Sequence, residues 1–70
     1  MKILGLDFGT KRIGIAISDE TAAFAFPKAI MPNDGKLIEL IRKMIGEERI
    51  EKIVIGDPGD NAVAMDAKAF

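Results

Sequence analysis

Seventy residues at 7.6 kDa fit one small domain, and its core is marginal because so short a chain buries only about 60% of its unfolded surface. With no cysteine and no histidine there is no disulfide, no thiolate or imidazole zinc site and no histidine-based triad, so stability must come from a good core or a partner surface. A net charge of −1, a pI near 5.3 and a mean hydropathy of +0.17 describe a globular chain with no overall electrostatic pull on nucleic acid.

The chain opens with Lys2 to Asp7 (KILGLD), a short apolar run that ends in a carboxylate. Ile3, Leu4 and Leu6 occupy both strand parities, which suits a central strand with two buried faces. FGTK follows as a tight turn in which Gly9 can take a positive φ. Arg12 to Asp19 (RIGIAISD) then alternates with period two, Ile13, Ile15 and Ile17 on one side. The short glycine-containing link makes the two strands a hairpin. After the polar break Asp19-Glu20-Thr21, AAFAFPKAIM alternates again, Phe24, Phe26, Lys28 and Ile30 opposing Ala23, Ala25, Pro27 and Ala29. Pro27 cannot donate to a ladder, so this strand belongs at an edge. Phe24 and Phe26 read as core residues in preference to base-stacking ones.

Pro32-Asn33-Asp34-Gly35 is a turn offering Asn33 or Asp34 as helix cap. The period then changes: Leu37, Leu40, Ile41, Met44 and Ile45 form one apolar helical stripe. The helix should run to about Arg49, with Gly46 costing roughly 1 kcal/mol relative to Ala. Lys52 to Gly56 (KIVIG) is a second buried-type strand, reached by a parallel, right-handed crossover. Asp57-Pro58-Gly59-Asp60 fits a type II turn. From Asn61 the sequence reads as a short helix, capped by Asp60 or Asn61, with Val63, Ala67 and Phe70 on one face. The expected architecture is α/β: a three-stranded antiparallel meander plus a parallel fourth strand through one helix. One helix cannot cover both faces of that sheet, so self-association through the uncovered face is expected. No apolar run approaches the ~18 residues of a membrane span and no signal pattern opens the chain, so a cytoplasmic protein with no membrane partner is expected.

Asp7 and Asp57 each stand at the carboxyl end of a central strand, where ligands of α/β sheets bind. Side by side they would repel unless a hard cation such as Mg²⁺ or Mn²⁺ lay between them. The alternatives are local: Asp7 accepting hydrogen bonds from its own turn, and Asp57 opening a type II turn. Lys11 and Arg12 are either phosphate contacts or an ordinary charged hairpin tip. Asp60 and Asp66 read as caps or solvated side chains.

ILGLDFGTKRIGIAISD resembles the opening of the YqgF-type family of Holliday junction resolvases and pre-16S rRNA processing nucleases. Leu4, Gly5, Asp7, Gly9, Lys11, Arg12, Ile13, Gly14, Ala16, Ser18 and Asp19 match, and Gly56 and Pro58 match farther on. The resemblance implies an RNase H-like fold over residues 1–70, corresponding to the amino-terminal half of a usual member. It implies a nuclease acting on structured nucleic acid, with Asp7 as a catalytic ligand of Mg²⁺ or Mn²⁺ and Lys11 and Arg12 beside the site. Asp57 replaces the family's usual Leu and would supply a second carboxylate; the family's other acidic residues belong to its second half. A non-catalytic, oligomerising nucleic-acid-binding or assembly module is one alternative. A fragment of an actin- or hexokinase-like ATPase is another, through the match of Asp7, Gly9 and Thr10 to an Asp-x-Gly-Thr turn.

Overall fold

A computed structural model describes residues 1–56 and 62–69. Strands β1 (Lys2–Phe8), β2 (Arg12–Ser18) and β3 (Ala25–Pro32) form the meander. Helix α1 (Leu37–Glu48) then leads to β4 (Ile50–Gly56) and β5 (Ala62–Asp66), with a 3₁₀ turn at Ala67–Ala69. The sheet order is β3-β2-β1-β4-β5, with β1 parallel to β4 and every other pair antiparallel. This is the expected α/β, RNase H-like arrangement, with one more strand. No helix among the described residues is long and apolar enough to cross a membrane.

Residue parity and register place the core on one face. Leu4 pairs with Ile17, and Leu6 with Ile15, while Ile53 lies beside Leu4 on the other flank. All five are buried, together with Ile13 and with Leu37 and Ile41 of α1. Met44 and Ile45 complete the helical stripe as half-buried residues packed against this core. The helix ends on Arg49, which adopts the left-handed region (φ 55°, ψ 49°) and donates its N–H to the Ile45 carbonyl.

The opposite face of the sheet has no helix against it among the described residues. Gly5, Gly14, Ala16, Val54 and Gly56 make a floor of small side chains there, with Ile30 at one margin. Ile30 is 74% exposed.

Three expectations are corrected. Ala62–Asp66 form β5 and not a helix, with only the 3₁₀ turn of Ala67–Ala69 after it; the expected caps Asp60 and Asn61, and Phe70, lie outside the described residues. Val63 and Met65 face Ile55 and Ile53 across β4, so pairing satisfies an open sheet edge, whereas an isolated two-turn helix is marginal in water. Phe24 and Phe26 are not core residues; they are 67% and 58% exposed. Phe24 precedes β3 and Phe26 is the second residue of this edge strand; a β-bulge farther along also breaks the single parity expected for Phe26 and Ile30. Ile15 faces Ala29 and Ala16 faces Pro27, so Lys28 is extra and the alternation resets there. Phe26 consequently lies opposite Ile17, while Ile30 lies on the other face opposite Gly14. Pro27 at this bulge does sit on the edge strand, as its missing N–H requires.

The third correction concerns capping. Neither Asn33 nor Asp34 caps α1; the residue before the helix is Lys36, which makes no side-chain cap bond. Asp34 instead accepts the Lys36 N–H on Oδ1 at 2.9 Å, an Asx turn one step upstream. Asn33 is engaged elsewhere, as described next. The type II turn expected at residues 57–60 lies outside the described residues.

Candidate functional site

Asp7 is the sixth of seven residues in β1, on the face away from α1, and is exposed. Its flanking partners are Gly14 on β2 and Gly56 on β4. Neither carries a side chain, so the carboxylate stands clear of its neighbours at the margin of a shallow, open hollow of about 450 Å³. A methyl group at Gly14 would meet the Asp7 Cβ at 3.6 Å, an ordinary contact, so glycine there provides room without being sterically required.

The β1–β2 turn joins Gly9 to Arg12. Gly9 donates its N–H to the Arg12 carbonyl at 2.9 Å. No glycine among the described residues has a positive φ, so Gly9 is needed for a reason other than the one expected. A Cβ at Gly9 would lie 2.8 Å from the Arg12 carbonyl oxygen, closer than such atoms approach. The turn is tight because its strands close on each other immediately, and only a missing side chain permits that approach.

Arg12 begins β2 with the same parity as Gly14, the direct partner of Asp7, so Arg12 is the diagonal neighbour of Asp7 on the open face. Diagonal pairs lie about 7–8 Å apart, within reach of a long side chain. Lys11 adjoins it at the tip, and both are exposed. Among the described residues, the side chains of Asp7, Lys11 and Arg12 make no hydrogen bond or ion pair with other protein groups; the ion pair of the sheet's far end is Lys2 with Glu48, at 3.6 Å. The Gly9 N–H goes to the Arg12 carbonyl and not to Asp7, whose carboxylate accepts no bond from its own turn among the described residues; the Gly9 and Lys11 carbonyls accept from donors outside the turn.

Those donors come from Asn33, which the sequence pattern offers only as a helix cap. Its backbone N–H donates to the Lys11 carbonyl at 2.9 Å. Its side-chain Nδ2 donates to the Gly9 carbonyl at 3.1 Å. Asp19, at the opposite end of the sheet, organises the β2–β3 loop. Its carboxylate accepts the Thr21 hydroxyl at 2.9 and 3.0 Å and the Ala23 N–H at 3.1 Å. Partial desolvation pushes this carboxyl up, but the bonds from Thr21 and from the backbone of Phe24, Ala23 and Ala22 together outweigh it and hold it below its ordinary value of 3.8.

The metal expectation has a narrow footing here. Among the described residues no group of three or more acidic, histidine or cysteine side chains could hold a metal ion. Asp7 alone does not make a site for a divalent cation that takes six or more oxygens. The parallel register aligns Asp7 with Gly56; Asp57 follows Gly56 in the chain and lies outside the described residues.

Residues 1–69 match the protein family described as RuvX, Holliday junction resolvase. A protein of Sulfurihydrogenibium named "Putative pre-16S rRNA nuclease" is 49% identical over 57 residues, 81% of this chain and 39% of that protein. One of the same name from Maridesulfovibrio salexigens is 48% identical over 61 residues, 83% of this chain and 44% of the relative. Another from Syntrophomonas wolfei is 39% identical over 72 residues, 100% of this chain and 51% of the relative. The chain thus spans about half or less of the length of these relatives.

Proposed function

The chain belongs to the RuvX Holliday junction resolvase family, and from that premise we propose that it contributes the β1–β2 corner of a nuclease acting on structured nucleic acid. One observation supports this above others. Asp7, Lys11 and Arg12 gather at one end of the sheet, exposed and without protein partners among the described residues. Two cations next to an open carboxylate suit a phosphodiester: Arg offers a planar fork, Lys a point charge, and the carboxylate a group for the reacting centre. With net charge −1 there is no general attraction for nucleic acid, so the affinity of this corner must come from placement.

The metal belongs to the proposal and not to the geometry. Asp7 and Asp57 are the carboxylates we assign to Mg²⁺ or Mn²⁺, to be completed by oxygens beyond those described. Metal titration followed by thermal denaturation tests this apart from activity. The Mg²⁺-dependent rise in Tm should vanish in Asp7→Asn, and an unchanged rise would remove Asp7 from the metal.

The functional test is cleavage and binding of a four-way DNA junction and a structured pre-rRNA segment. Asp7→Asn should abolish cleavage while retaining binding. Lys11→Ala/Arg12→Ala should weaken binding and flatten its log–log salt dependence by about 1.4–1.8, two phosphate contacts at roughly 0.7–0.9 each. If the metal-supplemented chain neither binds nor cuts either substrate, the reading fails for this chain.

A specific observation also favours the assembly reading. The open face combines a glycine and alanine floor with the exposed Ile30. Five strands of about seven residues present roughly 500 Å² per copy at ordinary strand spacing and rise, so two copies face to face would bury about 1,000 Å², the lower bound for a specific interface. We therefore expect a second copy there, held weakly. Sedimentation should show concentration-dependent dimerisation that Ile30→Asp eliminates; a well-folded monomer throughout would exclude it. Binding retained in chelator, together with no cleavage when Mg²⁺ or Mn²⁺ is supplied, would identify the module reading over the nuclease. The family match over residues 1–69 leaves the ATPase alternative without support.

A further inference from the structure

We propose that Asn33 is the positioning residue of the nucleic-acid corner, a clasp that fixes the turn carrying Lys11 and Arg12. The inference rests on the phosphate-binding reading of that turn and adds a residue from another element to it.

The argument begins with Pro32. It lies opposite Arg12 in the β2–β3 ladder and has no N–H to donate. The last position of β3 therefore cannot tie down the start of β2 through its own donor. Asn33, one residue later, supplies two. Its backbone N–H reaches the Lys11 carbonyl at 2.9 Å and its side-chain amide reaches the Gly9 carbonyl at 3.1 Å. With the Gly9–Arg12 bond, three hydrogen bonds hold the four residues of the turn, two of them from this one residue.

The side-chain bond requires a donor of this length. Aspartate has the same shape but no N–H, and would bring a negative oxygen against the Gly9 carbonyl. The turn could close without Asn33, since the Gly9–Arg12 bond belongs to the hairpin itself. What Asn33 adds is a fixed tip. The side chains of Lys11 and Arg12 have no protein partner among the described residues. Only the backbone beneath them can set where their charges stand. Fixing that backbone before binding removes part of the ordering cost of association.

The experiment is a double-mutant cycle on the full chain. Binding to a labelled RNA hairpin and to a four-way DNA junction is read by fluorescence anisotropy in chelator at low salt. Asn33→Ala should weaken binding about three- to ten-fold, the fold-change of one net hydrogen bond. In the Lys11→Ala/Arg12→Ala background the same change should have no further effect, because no charges remain to be positioned. Far-UV circular dichroism and Tm establish that each variant is folded. If Asn33→Ala does not fold, Asn33→Ser and Asn33→Asp take its place, the latter keeping the backbone donor and the size. An equal loss in both backgrounds makes Asn33 merely structural and overturns the proposal, as does no loss in either. If Lys11→Ala/Arg12→Ala binds as tightly as the parent, the phosphate-binding reading itself has failed and the clasp has nothing to position. That result is distinguishable from failure of the clasp, in which the double variant weakens binding and Asn33→Ala does not.

Discussion

Changing glycine to alanine at two positions should move stability in opposite directions. At both sites the unfolded chain loses conformational freedom, which favours folding by about 0.4–1 kcal/mol. Gly46 lies inside α1 with nothing within 4 Å of the added Cβ. Gly46→Ala should therefore stabilise by about 1 kcal/mol. At Gly9 the added Cβ meets the Arg12 carbonyl oxygen at 2.8 Å. That oxygen is backbone and cannot swing aside, and it also accepts the Gly9 N–H at 2.9 Å. Relieving the clash opens the turn and weakens that bond, a loss of about 0.5–1.5 kcal/mol, in addition to about 1–3 kcal/mol of overpacking strain. After the entropic gain, Gly9→Ala should destabilise by about 0.5–4 kcal/mol. The assay is urea denaturation at constant m-value, or Tm, where 1 kcal/mol corresponds to about 4–8 °C in a chain of this size. The two sites share no partner, so the double variant should be additive, and Gly46→Ala supplies a stabilised background for measuring Gly9→Ala. A Gly9→Ala protein as stable as the parent would refute the claim that close approach is what requires glycine there.

Two further outcomes follow from the backbone and from charge. Arg49 ends α1 at φ 55°, a conformation costing L-residues about 1–2 kcal/mol; after the added freedom of the unfolded state, Arg49→Gly should raise stability by about 0.5–1 kcal/mol in the same denaturation assay. Asp19 is held below its ordinary 3.8 in the fold, so its contribution is present above that pH and is lost as pH falls through the lower folded value. An NMR titration of its carboxyl carbon should place its midpoint below 3.8, and Asp19→Asn should remove that acid-limb dependence without altering stability at lower pH.

Much of the fold is written in periodicity. The alternation of Ile13, Ile15 and Ile17, and the helical spacing of Leu37, Ile41 and Ile45, map directly onto the face between sheet and helix, because one-sided burial imposes those periods. Pro27 marks an edge because the missing donor has only one tolerable place. The bulge at Lys28 is not written in this way. One unpaired residue exchanges the two faces of everything beyond it, and so Phe26 and Ile30 share a parity in sequence but not in the sheet. The end of the chain misled for a related reason. NAVAMD alternates as well as it spirals, and the open edge of β4 decides between the two. That edge exists only once the sheet has formed.

The site was legible as residue types and not as an arrangement. Asp7, Lys11 and Arg12 stand out in sequence as a carboxylate and two cations around a glycine turn, but sequence alone leaves Asp7 free to serve as that turn's own hydrogen-bond acceptor. Among the described residues the structure shows no such bond: the Gly9 N–H is taken by the Arg12 carbonyl. Gly9 closes onto Arg12, Asn33 satisfies the Gly9 and Lys11 carbonyls, and the Asp7 carboxylate stays outside the network. Asn33 escaped notice because its partners are 22 and 24 positions away in sequence, beyond any local capping pattern, and because a residue followed by Asp-Gly and a helix has a ready local explanation. The consequence is physical. A hairpin tip that relied on Asp7 for its stability could not also offer that carboxylate to a ligand. Here the tip is held by the Gly9–Arg12 bond and by Asn33 with no bond to Asp7, so the carboxylate and the two charges beside it are available for chemistry.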